Sequence, residues 1–475
     1  MDFKQLGLKN ELLRSLEKLQ YTNCTSVQEK AIPCLLNKQD CIIQARTGSG
    51  KTAAFGLGIL EQLDWNTRLP QALILAPTRE LALQIQEELK ALGIYQKLRS
   101  VLLLGRQPYK RQMEQLKDHC HLVIGTPGRV KDHIDRGSFK PDQIQTVVLD
   151  EADQMLNMGF IDLVRDILKL LPKKHQTVLC SATMPEAVKK IADDFLQEPI
   201  WIQAEAASSL QIHQSVAYCD EAQKAELLAR LLAYEQVETA MIFASTHEAV
   251  DELHDILLGL HYSCGKLHGG MMQNDRLAVM EDFRRGKFRY LVATDVAARG
   301  IDIASLAMVV HLHLPRSRET FVHRMGRSGR MQETGQSVLL AAFREKAYIK
   351  EMFEKMGLIY EEKDVEALMN TALDESQLRF VSNPPKTRTT KTDIIREDVM
   401  RLHLNGGKNK KIRKGDIVGA ICELDMISGE DIGVIEIKDN GSTVDILNGK
   451  GMAVLKHLQN VTIKGKKLRI EKARD

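Results

Sequence analysis

The stretch Ala45 to Thr52, Ala-Arg-Thr-Gly-Ser-Gly-Lys-Thr, constrains this chain more than any other. It follows the apolar run Cys41-Ile42-Ile43 and leads into Ala53-Ala54-Phe55-Gly56-Leu57, which reads as helix. Strand, glycine-rich turn and helix in that order make a loop that holds phosphate. Gly48 and Gly50 let the backbone bend until successive N–H groups point inward. Lys51 adds a cation for the outer phosphates, Thr52 a hydroxyl for a magnesium ion, and the helix its positive end. The strict pattern has glycine where this chain has Ala45. The expected ligand is a nucleoside triphosphate with Mg2+.

Four further apolar runs end in polar or glycine/proline clusters. They are 72–75 before Pro77-Thr78-Arg79-Glu80, 122–124 before Gly125-Thr126-Pro127-Gly128-Arg129, 147–149 before Asp150-Glu151-Ala152-Asp153, and 177–179 before Ser181-Ala182-Thr183. Continuous apolar strands alternating with helical segments predict a parallel sheet covered on both faces. Ligands of such sheets gather at the carboxyl ends of the strands, where all these clusters fall. There Asp150 can hold magnesium through water, and Glu151 can orient and deprotonate an attacking water.

From Leu8 to Lys18 the apolar spacing is that of an amphipathic helix. The segment Gln20 to Gln28 follows. An amide there can pair with an adenine edge and an aromatic can stack on the ring, although residue types alone favour a polar loop.

The chain, 475 residues long, has room for two or three domains. No apolar run approaches membrane-spanning length, and the N-terminus is too polar for a signal peptide. Eight cysteines without a Cys-x-x-Cys pair suggest reduced thiols in a cytoplasmic protein. The net charge of +3 is unevenly spread: 386–475 holds 19 Lys/Arg against 13 Asp/Glu, leaving 47 against 50 before it. A basic tail on a near-neutral body points to an anionic partner.

Taken together, these motifs resemble those of the DEAD-box RNA helicases of superfamily 2. Asp150 to Asp153 spells the family name, and Pro-Thr-Arg-Glu-Leu-Ala, Thr-Pro-Gly-Arg and Ser-Ala-Thr occur in family order. Ala45 is usual in that family. The resemblance runs from about Phe3 to Leu358 and implies two RecA-like domains with ATP in their cleft and RNA across both. By the same resemblance Thr47, Gly48, Ser49, Gly50, Lys51 and Thr52 hold the phosphates. Gln28 reads adenine, with Phe3 and Tyr21 as its aromatics. Arg79, Thr126 and Arg129 touch the RNA backbone, and Ser181 and Thr183 couple hydrolysis to unwinding. Gln20 and Cys24 replace the family's Gly and Pro, and Arg106 replaces a Gly after Gly105.

From about Ala204 the alternation restarts without a phosphate loop, with strands expected from 241–243, 290–292, 308–310 and 338–340. Arginines three apart beside glycines in His323 to Arg330 suit a loop presenting guanidinium groups to phosphate. The resemblance places arginine-finger positions at Arg327 and Arg330, a ribose contact at Asp302 and an RNA contact at Thr294. His313 stands where the family has Asp.

A polar stretch around Asp374 to Thr392 reads as a linker. The order after it is βαββαβ, that of an RNA-recognition module, but its strands lack the aromatics on which such sheets stack bases. Basic loops are therefore the expected RNA contacts: Lys408, Lys410, Lys411 and Arg413, then Lys464, Lys466 and Lys467. In Leu-His-Leu-Asn-Gly-Gly-Lys (402–408), Lys-Ile-Arg-Lys-Gly-Asp-Ile-Val-Gly-Ala (411–420) and Ile-Lys-Gly-Lys-Lys-Leu-Arg (463–469), this tail resembles the C-terminal domain of the bacterial DbpA-type DEAD-box proteins, which implies a grip on a hairpin of 23S ribosomal RNA.

The expected architecture is α/β: RecA-like domains over 1–204 and 205–370, a linker over 371–392 and a small α+β RRM-like module over 393–475. The expected function is an ATP-dependent RNA helicase acting as a monomer on 23S ribosomal RNA in precursors of the large subunit. The competing readings are an ATP-gated RNA clamp that remodels nothing, a general RNA chaperone and a DNA helicase.

Overall fold

The computed structural model of the chain describes residues 1–45, 48–203, 212–298, 306–315, 317–328 and 335–473. They form two compact units. One comprises 1–43, 50–202 and 389–475, the other 44–49 and 203–388.

Domain 1 is built on seven strands: β1 (Cys41–Gln44), β2 (Ala72–Leu75), β3 (Ser100–Leu103), β4 (Leu122–Gly125), β5 (Thr146–Leu149), β6 (Gln176–Ser181) and β7 (Ile200–Gln203). Their order is β3-β4-β2-β5-β6-β1-β7. The pairs from β3 through β6 are parallel. Leu75 lies level with Gly125 on one side and Leu149 on the other, and Leu149 with Leu179. The polar clusters that follow these strands therefore share one edge. Every residue of β2, β4, β5 and β6 is buried, the apolar runs carrying the polar Thr146, Gln176, Thr177 and Ser181 inside with them. The sequence did not announce β3, because its alternate residues are only half-buried.

Domain 2 repeats the plan with β8 (Ile212–Tyr218), β9 (Ala240–Ala244), β10 (Cys264–Leu267), β11 (Tyr290–Thr294), β12 (Met308–His311), β13 (Gly335–Ala341) and β14 (Glu361–Glu362). The order is β10-β11-β9-β12-β13-β8-β14, parallel throughout. The stretch expected as linker contains a helix. Helix Glu375–Ser382 buries Val381 in the domain 2 core. Arg289 donates to the Phe380 and Asn383 carbonyls at 2.9 and 2.7 Å. A second helix, Lys391–Asp398, leads into the tail.

The tail has strands β15 (Met400–Leu404), β16 (Ile432–Ile437), β17 (Ser442–Ile446) and β18 (Ile470–Lys472), and helices Lys414–Cys422 and Gly451–Leu458. The sheet order is β16-β17-β15-β18, with every pair antiparallel. Its core, including Leu402, Ile417, Val444 and Val454, is drawn from the tail alone.

Candidate functional site

In domain 1 the phosphate loop enters helix Lys51–Gln62 through Gly50, whose φ is +85°. A Cβ there would lie 2.5 Å from Gln28 Nε2, so only glycine fits. Gln28 is buried at the start of helix Ser26–Leu36. Its Oε1 accepts the Thr25 N–H at 2.9 Å, and its Nε2 donates to the Gly50 carbonyl at 3.3 Å. The Gln28 amide is thus held against the phosphate loop itself. Phe3 is buried with its ring edge-on to Tyr21, centroids 6.1 Å apart, and the Tyr21 hydroxyl donates to Glu88 at 3.1 Å.

Asp150 follows β5 and is 3 % exposed. Burial raises its pKa, and Lys51 is the chief influence holding it down. Such a carboxylate is one that a cation would keep ionised, so Asp150 beside Lys51, with Thr52 in the first turn of the helix, fits a magnesium–nucleotide ligand. Asp150 Oδ1 accepts the Glu151 N–H at 3.0 Å. Glu151 itself has φ +53°, a left-handed backbone that a side chain rarely adopts.

Behind that turn lies a closed network. Asp153 N–H donates to Ser181 Oγ at 3.2 Å, and Ser181 donates to the Thr183 carbonyl at 2.6 Å. Asp153 Oδ2 accepts the Thr183 N–H and hydroxyl, each at 2.9 Å. Ser181 and Thr183 are brought together in this network. Asp153, their shared partner, was missed, although it is the last letter of the Asp-Glu-Ala-Asp motif.

Along the same edge Arg79 opens helix Arg79–Leu92, capped by Thr78. Its guanidinium runs beside Gly105, where a Cβ would sit 3.7 Å from Nη2. Thr126 caps helix Pro127–Asp135 at the end of β4, and Arg129 Nη2 donates to the Gln107 carbonyl at 3.3 Å. Arg129 Nη1 is buried with no hydrogen-bond partner among the described residues. A buried donor of this kind calls for a partner.

Three departures from the family pattern acquire reasons. Gln20 and Arg106 have φ of +60° and +57°, so each stands where glycine would be strain-free. The Cys24 N–H donates to the Met1 carbonyl at 2.9 Å, a bond that proline could not make.

In domain 2, Thr294 ends β11 with its hydroxyl buried and unpaired among the described residues. Arg324, 3 % exposed, grips Asp295 through two bonds of 2.6 and 2.7 Å and fixes helix Arg318–Met325. No sequence motif signalled that pair. Arg327 is buried two residues beyond that helix. His313 Nδ1 accepts the Ser245 N–H at 3.2 Å, the service a carboxylate would give. Burial lowers its pKa, which keeps the ring neutral for that role. Thr47, Asp302 and Arg330 lie outside the described residues.

The tail's two basic segments converge. Lys464 Nζ donates to the Lys411 carbonyl at 2.9 Å, and Lys466 Nζ to that of Lys410 at 2.7 Å. Lys408, Arg413 and Lys467 are exposed. The loop before them packs so tightly that a Cβ on Gly407 would lie 2.0 Å from the Lys438 carbonyl. Among the described residues, no helix is long and apolar enough to cross a membrane.

Three family profiles match: DEAD/DEAH box helicase over residues 25–191, helicase conserved C-terminal domain over 223–332, and DbpA RNA binding domain over 401–472. The ATP-dependent RNA helicase DbpA of Bacillus subtilis is 42% identical, covering 99% of both chains. The DEAD-box ATP-dependent RNA helicase CshA of Geobacillus kaustophilus is also 42% identical, over 72% of this chain and 74% of its own. Among solved structures, S. cerevisiae Dbp5 bound to RNA and ADP BeF3 superposes with a TM-score of 0.69 at 30% identity, covering 78% of this chain and all of Dbp5 (100%). A DEAD box protein from Methanococcus jannaschii gives 0.50 at 35% identity, covering 77% and 99%.

Proposed function

The chain belongs to the DEAD-box ATP-dependent RNA helicases and carries a DbpA-type RNA-binding domain, and from that premise we propose that it opens short duplexes in 23S ribosomal RNA during large-subunit assembly. It is an RNA-stimulated ATPase. The reading of its target is carried by the convergence of Lys464 and Lys466 on the Lys410–Lys411 loop. Two segments more than fifty residues apart form one basic surface on a module whose sheet has no stacking aromatics.

In this reading Glu151, whose N–H is bonded to buried Asp150, takes the proton of the attacking water. Asp150 and Thr52 would hold Mg2+, which supplies neutralising charge to the phosphates when bound. Lys51, Arg327 and Arg330 stabilise charge in phosphoryl transfer. Gln28 selects adenine beside Phe3 and Tyr21, and Asp302 meets the ribose. Arg79, Thr126, Arg129 and Thr294 hold the RNA backbone. Ser181 and Thr183, joined through Asp153, pass the state of the catalytic turn to the RNA side. The protein works as a monomer in the cytoplasm.

Full-length protein, protein ending at Thr392, and the tail alone are titrated against ribosomal and unrelated RNA, with ATPase and strand displacement measured in parallel. Ribosomal preference is expected in the first and third and absent from the second. Equal preference in all three overturns the target assignment. ATPase without strand displacement overturns unwinding.

A further inference from the structure

The tail sheet is closed on one side by its two helices, which share a core with Leu402, Leu404, Val444 and Ile446. Its other side carries the intervening residues Arg401, His403, Thr443 and Asp445. Arg401 and Asp445 are locked there by bonds of 2.6 and 2.9 Å. β16 forms one edge, and an edge strand leaves carbonyls in need of partners.

Domain 1 supplies them. Arg99 Nη2 donates to the Ile435 carbonyl of β16 at 2.7 Å, and Lys97 Nζ to the Gly429 carbonyl just before it at 3.2 Å. Lys90 lies within electrostatic reach of Glu436 and Asp445, and also of the like-charged Arg401. At the entry to the tail, Asp398 accepts the Tyr95 hydroxyl at 2.6 Å and pairs with Lys18 at 3.2 Å. Its side chain is only 14 % exposed. Arg14 stacks over the Tyr95 ring at 4.1 Å and donates to Asn448. In these bonds domain 1 contributes cations and a phenol, and the tail contributes carbonyls, a side-chain amide and a carboxylate. Charged donors to part-buried acceptors are the stronger class of hydrogen bond.

We propose that the β16 edge of the tail sheet is a protein-docking surface whose partner is domain 1 of the same chain. The tail is then carried as a fixed extension of domain 1 instead of swinging on a tether. RNA reaching the tail meets its lysine loops, not its sheet. That meeting with RNA rests on the function proposed above; the docking does not.

Amide hydrogen exchange on the full chain separates the two. Asp398→Ala with Arg99→Ala removes partners at both ends of the docked surface. Exchange across Ile432–Ile437 and the last turns of Arg79–Leu92 should quicken by about tenfold or more, while Ala72–Leu75 and Gly451–Leu458 keep wild-type rates. Unchanged exchange at Ile432–Ile437 overturns the docking. The milder pair Tyr95→Phe and Asp398→Asn, which preserves packing, should quicken the same amides to a smaller extent. It decides alone if the alanine variant fails to fold, and no change there likewise overturns the docking. Large-subunit ribosomal RNA added to the wild type should protect 405–411 and 464–467 and leave the docked amides as they were. Loss of protection at the docked amides overturns the fixed extension. Loops untouched by RNA, with the docked amides still sensitive to substitution, overturn the anchor reading and leave the docking standing.

Discussion

Asp153 and Thr183 are joined twice, one carboxylate oxygen accepting both the backbone N–H and the hydroxyl of the threonine at 2.9 Å. The link ties the turn bearing Glu151 to the segment after β6. Thr183→Val removes the hydroxyl bond and leaves the backbone bond. A hydrogen bond to a charged group is worth about 1.5–3 kcal/mol. Strand displacement should fall roughly tenfold or more while most ATPase activity survives, if that bond couples the two. Equal loss of both activities would place Thr183 in the chemistry instead.

Glu151 sits in a left-handed backbone at φ +53° and ψ 54°. A side chain there costs roughly 1–2 kcal/mol, and strain at a strand tip is characteristic of functional positions. Glu151→Gln should lower turnover by roughly 10²–10⁴-fold with ATP and RNA binding kept. Near-normal turnover would remove Glu151 from the general-base role. Glu151→Gly should also be inactive yet melt at a higher temperature, since it relieves the strain.

Local order made much of domain 1 legible. The apolar runs within β2, β4, β5 and β6 are fully buried, so composition marks them, and each carries its motif at its end. Half-polar β10, Cys-Gly-Lys-Leu, gave no such mark. Asp153 and Thr183 meet across thirty residues, and no local pattern states that. The same holds for Val381, one apolar residue in a polar stretch, which nonetheless enters the domain 2 core. Arg324 and Asp295 pair for reasons visible only once β11 and its neighbouring helix are side by side.

Gln20 and Arg106 offer a test of backbone strain with no chemistry in play. Both adopt positive φ. Glycine there removes about 1–2 kcal/mol of strain and returns part of it as unfolded-chain entropy, about 0.5–1 kcal/mol. Gln20→Gly and Arg106→Gly should each stabilise domain 1 by roughly 0.5–1 kcal/mol in denaturant titrations. A fall in stability would show that these side chains make interactions worth more than the strain.

His121 and His133 make domain 1 sensitive to acid. Burial lowers both to about 4 from the ordinary 6.5, with His119 and Arg129 respectively as the next influence. The His133 ring lies between Ser138 Oγ at 2.8 Å and Gln112 Oε1 at 3.1 Å, stacked on Tyr109. The unfolded chain binds more protons than the folded one between these values. Stability is therefore fully present above about pH 6.5 and falls as pH drops toward about 4. His133→Gln should flatten that slope in unfolding measurements. An unchanged slope would assign the acid sensitivity to other groups.

Lys410 and Lys411 receive Lys466 and Lys464 on their carbonyls, so the two loops move as one surface. Lys408, Lys410, Lys411 and Arg413 are all exposed, and none needs its charge for the tail core, which is apolar. Neutralising the four to Gln should leave the tail folded. If they meet phosphates, affinity for ribosomal RNA should drop. The log–log dependence on salt should flatten by about one unit for each phosphate no longer neutralised. If the tail carries target choice, basal ATPase on generic RNA should be unchanged, whereas the extra stimulation by ribosomal RNA should disappear. Measuring affinity across several salt concentrations for the full-length variant and the wild type checks both parts. A fall in affinity with an unaltered salt slope would mean that the lysines shape the loop rather than meet phosphate. No fall at all would move the RNA surface elsewhere on the tail.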